Sequence, residues 1–313
     1  MQLTNTVQIN EAALAGLDFD LFVGASGYET RATFAVSRLR SSRLRKKLVF
    51  GFEDRRSLQR EENDRIFSRQ GCTIAPIAGD SGQGVRAILR NWLSALSGSH
   101  RRILVDYTSM TRSWYAGVIE AIRSSHEAGS IECVFVYSPA EFSEPPEPSP
   151  NAIVDPIPGF CGLDVPEKPT ALVIGLGYER SRALGLLEYI DPAITFAFYV
   201  DPPLDSRFRD SVLTNNTPIL DKIKKEGVGR IFTHPLLDLH RTSNLLMSLY
   251  SGLRDEYRVI LAPLGVKPFS LLCLLMAAQF RDIDVWRVSA GIKAPPQDRR
   301  PIGTLLALSA RFE

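Results

Sequence analysis

The amino-acid sequence predicts an α/β protein built of two tandem Rossmann-like parallel-sheet domains related by internal duplication. Three observations carry that expectation. Short apolar runs alternate with amphipathic segments along the chain, the rhythm of a parallel sheet covered on both faces. A strand–turn–helix unit occurs twice. Ile103-Leu-Val-Asp-Tyr-Thr-Ser-Met-Thr-Arg112 leads into a helix with Trp114, Val118 and Ile122 on one face; Val259-Ile-Leu-Ala-Pro-Leu-Gly-Val-Lys267 leads into a helix with Pro268 in its first turn. Arg112 and Lys267 lie 155 residues apart. A second pair precedes them: Asp20-Leu-Phe-Val-Gly24-Ala-Ser-Gly27-Tyr28-Glu29-Thr-Arg31-Ala32 against Ala171-Leu-Val-Ile-Gly175-Leu-Gly177-Tyr178-Glu179-Arg-Ser-Arg182-Ala183, with the tyrosines 150 residues apart. Phe52-Glu-Asp54 against Tyr199-Val-Asp201 is a weaker third. Three correspondences in one order at nearly one offset argue for duplication.

Each element follows from the local pattern. Residues 1–19 read as an entry segment whose Ala12 to Leu17 pack on the first domain. Leu21–Gly24 is strand one, followed by a helix from near Glu29 to about Arg40. Lys47–Phe52 is strand two, Arg55–Gln70 a polar helix stopped at Gly71, and Cys72–Ile77 strand three. Gly84–Leu96 is a helix with Val85, Ile88, Leu89, Trp92 and Leu96 inward; strand 103–105, its helix and strand 131–137 complete the half. Residues 138–170 hold nine of the twenty prolines, as in Ser143-Glu-Pro-Pro-Glu-Pro-Ser-Pro150, and suit an extended linker. The expected division is therefore 1–137, a linker 138–170, and 171–313. The second half repeats the scheme: strands 171–175, 194–200, 229–233, 258–262 and 283–289 alternate with helices 179–189, 217–226, 239–254 and 267–280. Residues 302–311 add an edge strand there, and the insertion 201–217 is expected to lie over a site.

Composition narrows the class. A chain of 313 residues, 44% hydrophobic and 23% charged, suits two ordinary globular domains, and a net charge of +2 gives no bulk case for nucleic acid. Cys72, Cys133, Cys161 and Cys273 are scattered without metal or disulfide spacing, which fits a reducing cytoplasm. No signal peptide, membrane span, metal or cofactor is expected. His234 and His240 have the wrong spacing for two ligands on one helical face, and His100 and His126 are expected in polar loops.

In open parallel sheets, ligands sit outside the carboxyl ends of strands, where strand order reverses. There the first half delivers Gly24, Ser26, Gly27, Tyr28 and Glu29 beside Asp106, Thr108, Ser109, Thr111 and Arg112. The second delivers Gly175, Gly177, Tyr178 and Glu179 beside Gly265, Lys267 and Ser270. Glycines admit a phosphate or ribose, hydroxyls and helix N-termini bind anions, and Tyr28 and Tyr178 can stack on a base. Plainer readings compete. Thr108 or Ser109 caps a helix; Glu29 and Glu179 complement a helix dipole or pair with Arg31 and Arg182; Asp106 fixes its turn. The run Arg38-Leu-Arg-Ser-Ser-Arg-Leu-Arg-Lys-Lys47 has six basic residues in ten, either a nucleic-acid contact or, as favoured here, the solvated end of a helix.

The turn Asp106-Tyr-Thr-Ser-Met-Thr-Arg112 with its helix, and Gly24-Ala-Ser-Gly-Tyr-Glu29 after strand one, resemble the CRISPR-associated Rossmann fold (CARF) domains and their fused two-copy relatives, the SAVED domains. The chain departs from that pattern at Ser109–Met110, where glycines are usual, and at Ala262–Gly265 in the second half. The resemblance implies a cytoplasmic sensor or accessory protein of a prokaryotic antiviral system, holding a nucleotide or cyclic oligonucleotide between its lobes. It would act through an effector partner or self-assembly. A metal-independent ring nuclease using Arg112, Lys267 and Glu29 is the alternative, and an interaction module without a ligand a third.

Overall fold

The structure, a computed structural model, describes all residues except 55, 126–128, 149–150, 228 and 290–295. The chain forms two compact units, residues 1–141 with 295–313, and 142–294.

The first unit runs β1 (Leu3–Ile9), α1 (Glu11–Gly16), β2 (Phe19–Ser26), a 3-10 turn (Thr30–Thr33) continuing into α2 (Phe34–Arg38), β3 (Leu44–Phe52), α3 (Arg60–Arg69), β4 (Thr73–Ile77), α4 (Gly82–Ser94), β5 (His100–Asp106), α5 (Arg112–Arg123) and β6 (Ser130–Tyr137). The second runs β7 (Ile153–Pro156), β8 (Thr170–Gly175), α6 (Arg182–Ile190), β9 (Ile194–Val200), α7 (Ser206–Asn215), α8 (Thr217–Glu226), β10 (Gly229–His234), α9 (Leu239–Leu253), β11 (Arg258–Pro263), α10 (Lys267–Gln279) and β12 (Asp284–Ser289); β13 (Leu306–Phe312) closes the chain.

Sheet order is β1-β13-β6-β5-β2-β3-β4 in one unit and β10-β9-β8-β11-β12-β7 in the other. β2 through β6 and β8 through β12 are parallel and doubly wound in the same way. The order reverses between β2 and β5 and again between β8 and β11, so each unit has one topological switch point. The central strands are apolar on both faces, as helix-covered parallel strands must be: Ile103, Leu104 and Val105 are fully buried, and so are Leu172 and Ile174. The two halves thus share a Rossmann-like topology, the arrangement their repeated motifs predict.

Several expectations are corrected. The edge strand expected over 302–311 in the second half pairs instead in the first unit, as β13 between β6 and β1 and antiparallel to both. The entry segment is largely the edge strand β1, with Leu14 of α1 buried on the core. The proline-rich stretch is not wholly a linker. Its Ile153–Pro156 forms β7, antiparallel to β12 at the sheet edge, the position where a strand tolerates proline. Residues 149–150 of its Ser143–Pro150 run lie outside the described residues. The insertion 201–217 holds α7.

The helix expected from Glu29 to Arg40 is a 3-10 turn and a five-residue helix that ends where Leu39 turns extended (φ −88°, ψ 145°), and its opening amides, which no helix satisfies internally, are tied to the far end of the chain. Thr30 N–H and hydroxyl donate to Asp298, both at 2.7 Å, and Arg31 N–H donates to Arg299 O at 3.2 Å. α3 begins at Arg60 and α6 at Arg182, later than expected, and Arg55 lies outside the described residues. The inward face of α4 is Val85, Leu89 and Leu93, with Ile88, Trp92 and Leu96 only half-buried. His100 opens β5, its Nδ1 2.7 Å from Ser130 Oγ, rather than sitting in a loop; His126 is outside the described residues. The basic run is not one helix end: it spans the end of α2, a 3-10 turn (Ser41–Arg43) and the start of β3.

Candidate switch-point site

At the switch point of the first unit the turns after β2 and β5 touch. A β-carbon on Gly27 would stand 2.8 Å from Ser109 Cβ and 3.0 Å from its Oγ, so only glycine lets the two turns meet. The β2 turn is fixed from α3, where buried Asn63 donates its amide to Gly27 O and Glu29 O, each at 2.9 Å. Ser26, fully buried, donates to Asp64 at 2.6 Å, and Asp64 also receives Arg60 at 2.9 Å. The β5 turn is internally braced. Asp106 accepts Thr108 N–H at 3.0 Å, and Thr108 Oγ1 accepts Ser138 N–H at 2.9 Å. Thr111 caps α5 by accepting Trp114 N–H at 3.2 Å. Arg112, half-buried, is the first residue of that helix.

The two units treat their expected site residues differently. Gly24 and Gly175 make room for core aromatics, because a β-carbon on either would come within 2.8 Å of the rings of Phe22 and Phe269 respectively. They serve packing. In the second unit the turns after β8 and β11 close backbone to backbone. β-Carbons on Gly177 and Gly265 would meet Leu264 O at 2.8 Å and Leu176 O at 2.6 Å, and Leu264 N–H donates to Gly175 O at 3.0 Å. Tyr178 packs toward Phe208, ring centroids 5.9 Å apart, and Ser270 donates to Pro263 O at 3.3 Å. Lys267, half-buried, opens α10, whose N-terminus lacks a side-chain cap.

Both glutamates are paired. Glu29 accepts Arg31 Nε at 2.6 Å, with Arg299 at 4.0 Å; Glu179 meets Arg182 at 2.6 Å. Arg31 is almost wholly buried and reaches Tyr137 Oη at 3.1 Å and Ser138 O at 2.8 Å. Burial opposes its charge, but Tyr137 and Glu29 outweigh that and raise its pKa, so it stays a cation. Glu29 is therefore the counter-ion of a structural arginine, and the dipole-or-ion-pair reading describes both glutamates.

Two hydroxyls at the first switch point lack a partner among the described residues. Ser109 Oγ is buried, and no hydrogen bond reaches it among the described residues; Ser138 Oγ, on the strand end that Thr108 touches, is in the same state. Sequence reasoning missed Asn63, Asp64, Ser138, Asp298 and Arg299. Asn63 has a counterpart in Asn216, which donates to Gly177 O at 2.7 Å. The two asparagines lie 153 residues apart, inside the range of the repeat offsets, which is the signal that would have found them.

Among the described residues no group of three or more His, Cys, Asp or Glu side chains is placed to hold a metal, and no helix is long and apolar enough to cross a membrane. No family model and no curated protein matches the sequence. Among solved structures, the cytoplasmic domain of a prokaryotic cation chloride cotransporter is similar at 9% identity and a TM-score of 0.23, covering 88% of this chain and 98% of that one. The T. thermophilus 16S rRNA methyltransferase RsmC in complex with AdoMet and guanosine is similar at 10% identity and a TM-score of 0.18, covering 94% and 88%. What defines the protein's class is its own geometry: a duplicated Rossmann-like α/β chain with one polar switch point per unit.

Proposed function

We propose that the chain is a cytoplasmic nucleotide sensor of the CARF and SAVED kind, serving a prokaryotic antiviral system. Its ligand is a nucleotide or cyclic oligonucleotide bound at the switch point of the first unit. The observation that carries this reading is the buried Ser109 hydroxyl without a protein partner, set against Gly27 where strand order reverses. Burying an unsatisfied hydroxyl costs about 1–3 kcal/mol, a cost that an oxygen of a bound phosphate or ribose removes. Arg112 on the first turn of α5 adds a cation and the helix end adds its dipole, both of which favour an anion. The corresponding turns of the second unit are filled by their own backbone at Gly177 and Gly265, so the first unit is the one that takes the ligand. Effector output runs through a partner protein or a second copy of the chain.

Calorimetry with a panel of cyclic di-, tri- and tetranucleotides tests the proposal, each mixture being analysed afterwards for cleavage. The expected result is binding that Ser109→Ala weakens about tenfold, the scale of one hydrogen bond, and that Arg112→Ala weakens more. Absence of binding across the panel, or wild-type affinity in both variants, overturns it. Conversion of the ligand replaces the sensor with the ring-nuclease reading, which must then work around a Glu29 already engaged by Arg31.

A further inference from the structure

A second feature of the first unit lies at the opposite end of its sheet, where β3 and β4 begin. There an open groove of about 520 Å³ is lined by Arg45, Lys46, Lys47, Thr73, Asn91 and Trp92 among others, and by no carboxylate among the described residues. The three cations are consecutive residues of β3 and differ in their neutralisation. Arg45, three-quarters exposed, meets Asp20 at 3.2 Å. Lys46 donates to Ala95 O at 2.7 Å; Lys47 donates to Gln70 O at 2.7 Å and to the Ser41 hydroxyl. These acceptors are neutral, so two full positive charges remain on the groove wall with no counter-ion in contact among the described residues. Arg38 and Arg43, upstream in the same basic run, are by contrast paired with Glu11 at 3.3 Å and Asp18 at 3.1 Å.

Trp92 supplies the other half of the chemistry. α4 buries Val85, Leu89 and Leu93 and leaves the indole of Trp92 half-buried, one position off that stripe, against the groove. A large aromatic surface kept beside uncompensated cations, with a Thr hydroxyl and an Asn amide in reach, matches what a single-stranded nucleic acid presents. Phosphates take the cations, a base stacks on the indole, and sugar or base edges take the hydroxyl and amide. The groove is open rather than enclosed, which suits an extended chain that enters and leaves it.

We infer that this groove, formed by Arg45, Lys46 and Lys47 of β3 with Trp92 of α4, binds single-stranded nucleic acid. It is separate from the nucleotide site and does not depend on it. The small net charge of the whole chain does not bear on the matter, because the charge is local.

The test is fluorescence anisotropy with a short labelled oligouridylate and an oligothymidylate, titrated with the full chain over a series of salt concentrations. Neutralising two phosphates of a single strand, one for each unpaired lysine, predicts a slope of roughly −1.4 in log affinity against log salt. Trp92→Ala weakens binding about tenfold or more, Trp92→Phe restores most of it, and Arg45→Glu with Lys46→Glu abolishes it. All of these variants keep the wild-type urea-unfolding midpoint, which reports that they are folded. Quenching of tryptophan emission by the unlabelled oligonucleotide, present in the wild type and reduced in Trp92→Phe, gives a second readout. No anisotropy change at low salt overturns the inference, as does wild-type affinity in Trp92→Ala. Displacement of the probe by polyglutamate as effective as by unlabelled oligonucleotide makes this an acidic-peptide site and equally overturns it.

Discussion

Gly27 has no room for a β-carbon, because Ser109 stands 2.8 Å from where it would go. Gly27→Ala is therefore expected to lower stability by about 1–3 kcal/mol, the usual cost of overpacking. Ser109→Gly in the same chain recovers part of that loss. Urea unfolding of the two single variants and the double variant measures the coupling, and strictly additive effects would show that the turns do not meet. His234 makes a second prediction, on pH. It lies at the end of β10, buried against Phe269 with ring centroids 5.1 Å apart. Burial is the largest influence and pulls its pKa from 6.5 down to about 4, a backbone hydrogen bond with Pro235 offsetting part of it. The unfolded chain then binds a proton that the folded chain refuses. The contribution is full above pH 6.5 and lost progressively as pH falls toward 4, by about 3 kcal/mol in all. In His234→Phe that portion of the slope disappears from denaturation curves taken across this window.

Helices α4 and α5 owe their approach to glycine. A β-carbon on Gly117 would stand 2.3 Å from Gly82 O, and one on Gly82 would stand 2.5 Å from Ser113 O. Both obstacles are backbone and cannot rotate away. Gly117→Ala must separate the helices, and is expected to cost about 1–3 kcal/mol or more and to shift the start of α5, seen as increased hydrogen exchange at Trp114 and Tyr115. At this scale the sequence was legible wherever periodicity was strong: α8 and β9 fall on their expected bounds, Thr217–Glu226 and Ile194–Val200. It failed at Glu29–Arg40. The apolar pattern there suited one longer helix, whereas the segment opens as a 3-10 turn and ends at Arg38; the tie of Thr30 and Arg31 to residues 298 and 299 is likewise one that no local window contains.

The whole first unit depends on residues from the far end of the chain. β13 lies between β6 and β1, with Ala310 opposite both Cys133 and Thr6. A fragment of residues 1–137 leaves β6 unpaired on one side and β1 with no partner, and is expected not to unfold cooperatively. A full chain shortened to end before Leu306 is expected to lose amide protection in β6 and β1 while the unit 142–294 keeps its own. A cooperative transition in the short fragment would show that β13 is dispensable.

The sequence by itself determined the duplication and the parallel, helix-covered sheet of each half; the strand order came with the structure. The duplication and the sheet type rest on apolar runs and repeated turns that recur at one offset, and such patterns are local. It also brought Gly27, Ser109 and Arg112 to one sheet edge, since topology places strand ends without knowing side-chain contacts. Only the tertiary structure decided which of those residues are spent internally: Ser26 on Asp64, Glu29 on Arg31, Gly175 on Phe269, and Gly177 and Gly265 on each other's turns. Only it decided where the last strand goes, because LALSARF carries the alternation of a strand but no mark of its partner. Strand pairing is chosen by backbone hydrogen bonds and core area summed over the sheet, which a seven-residue pattern does not encode.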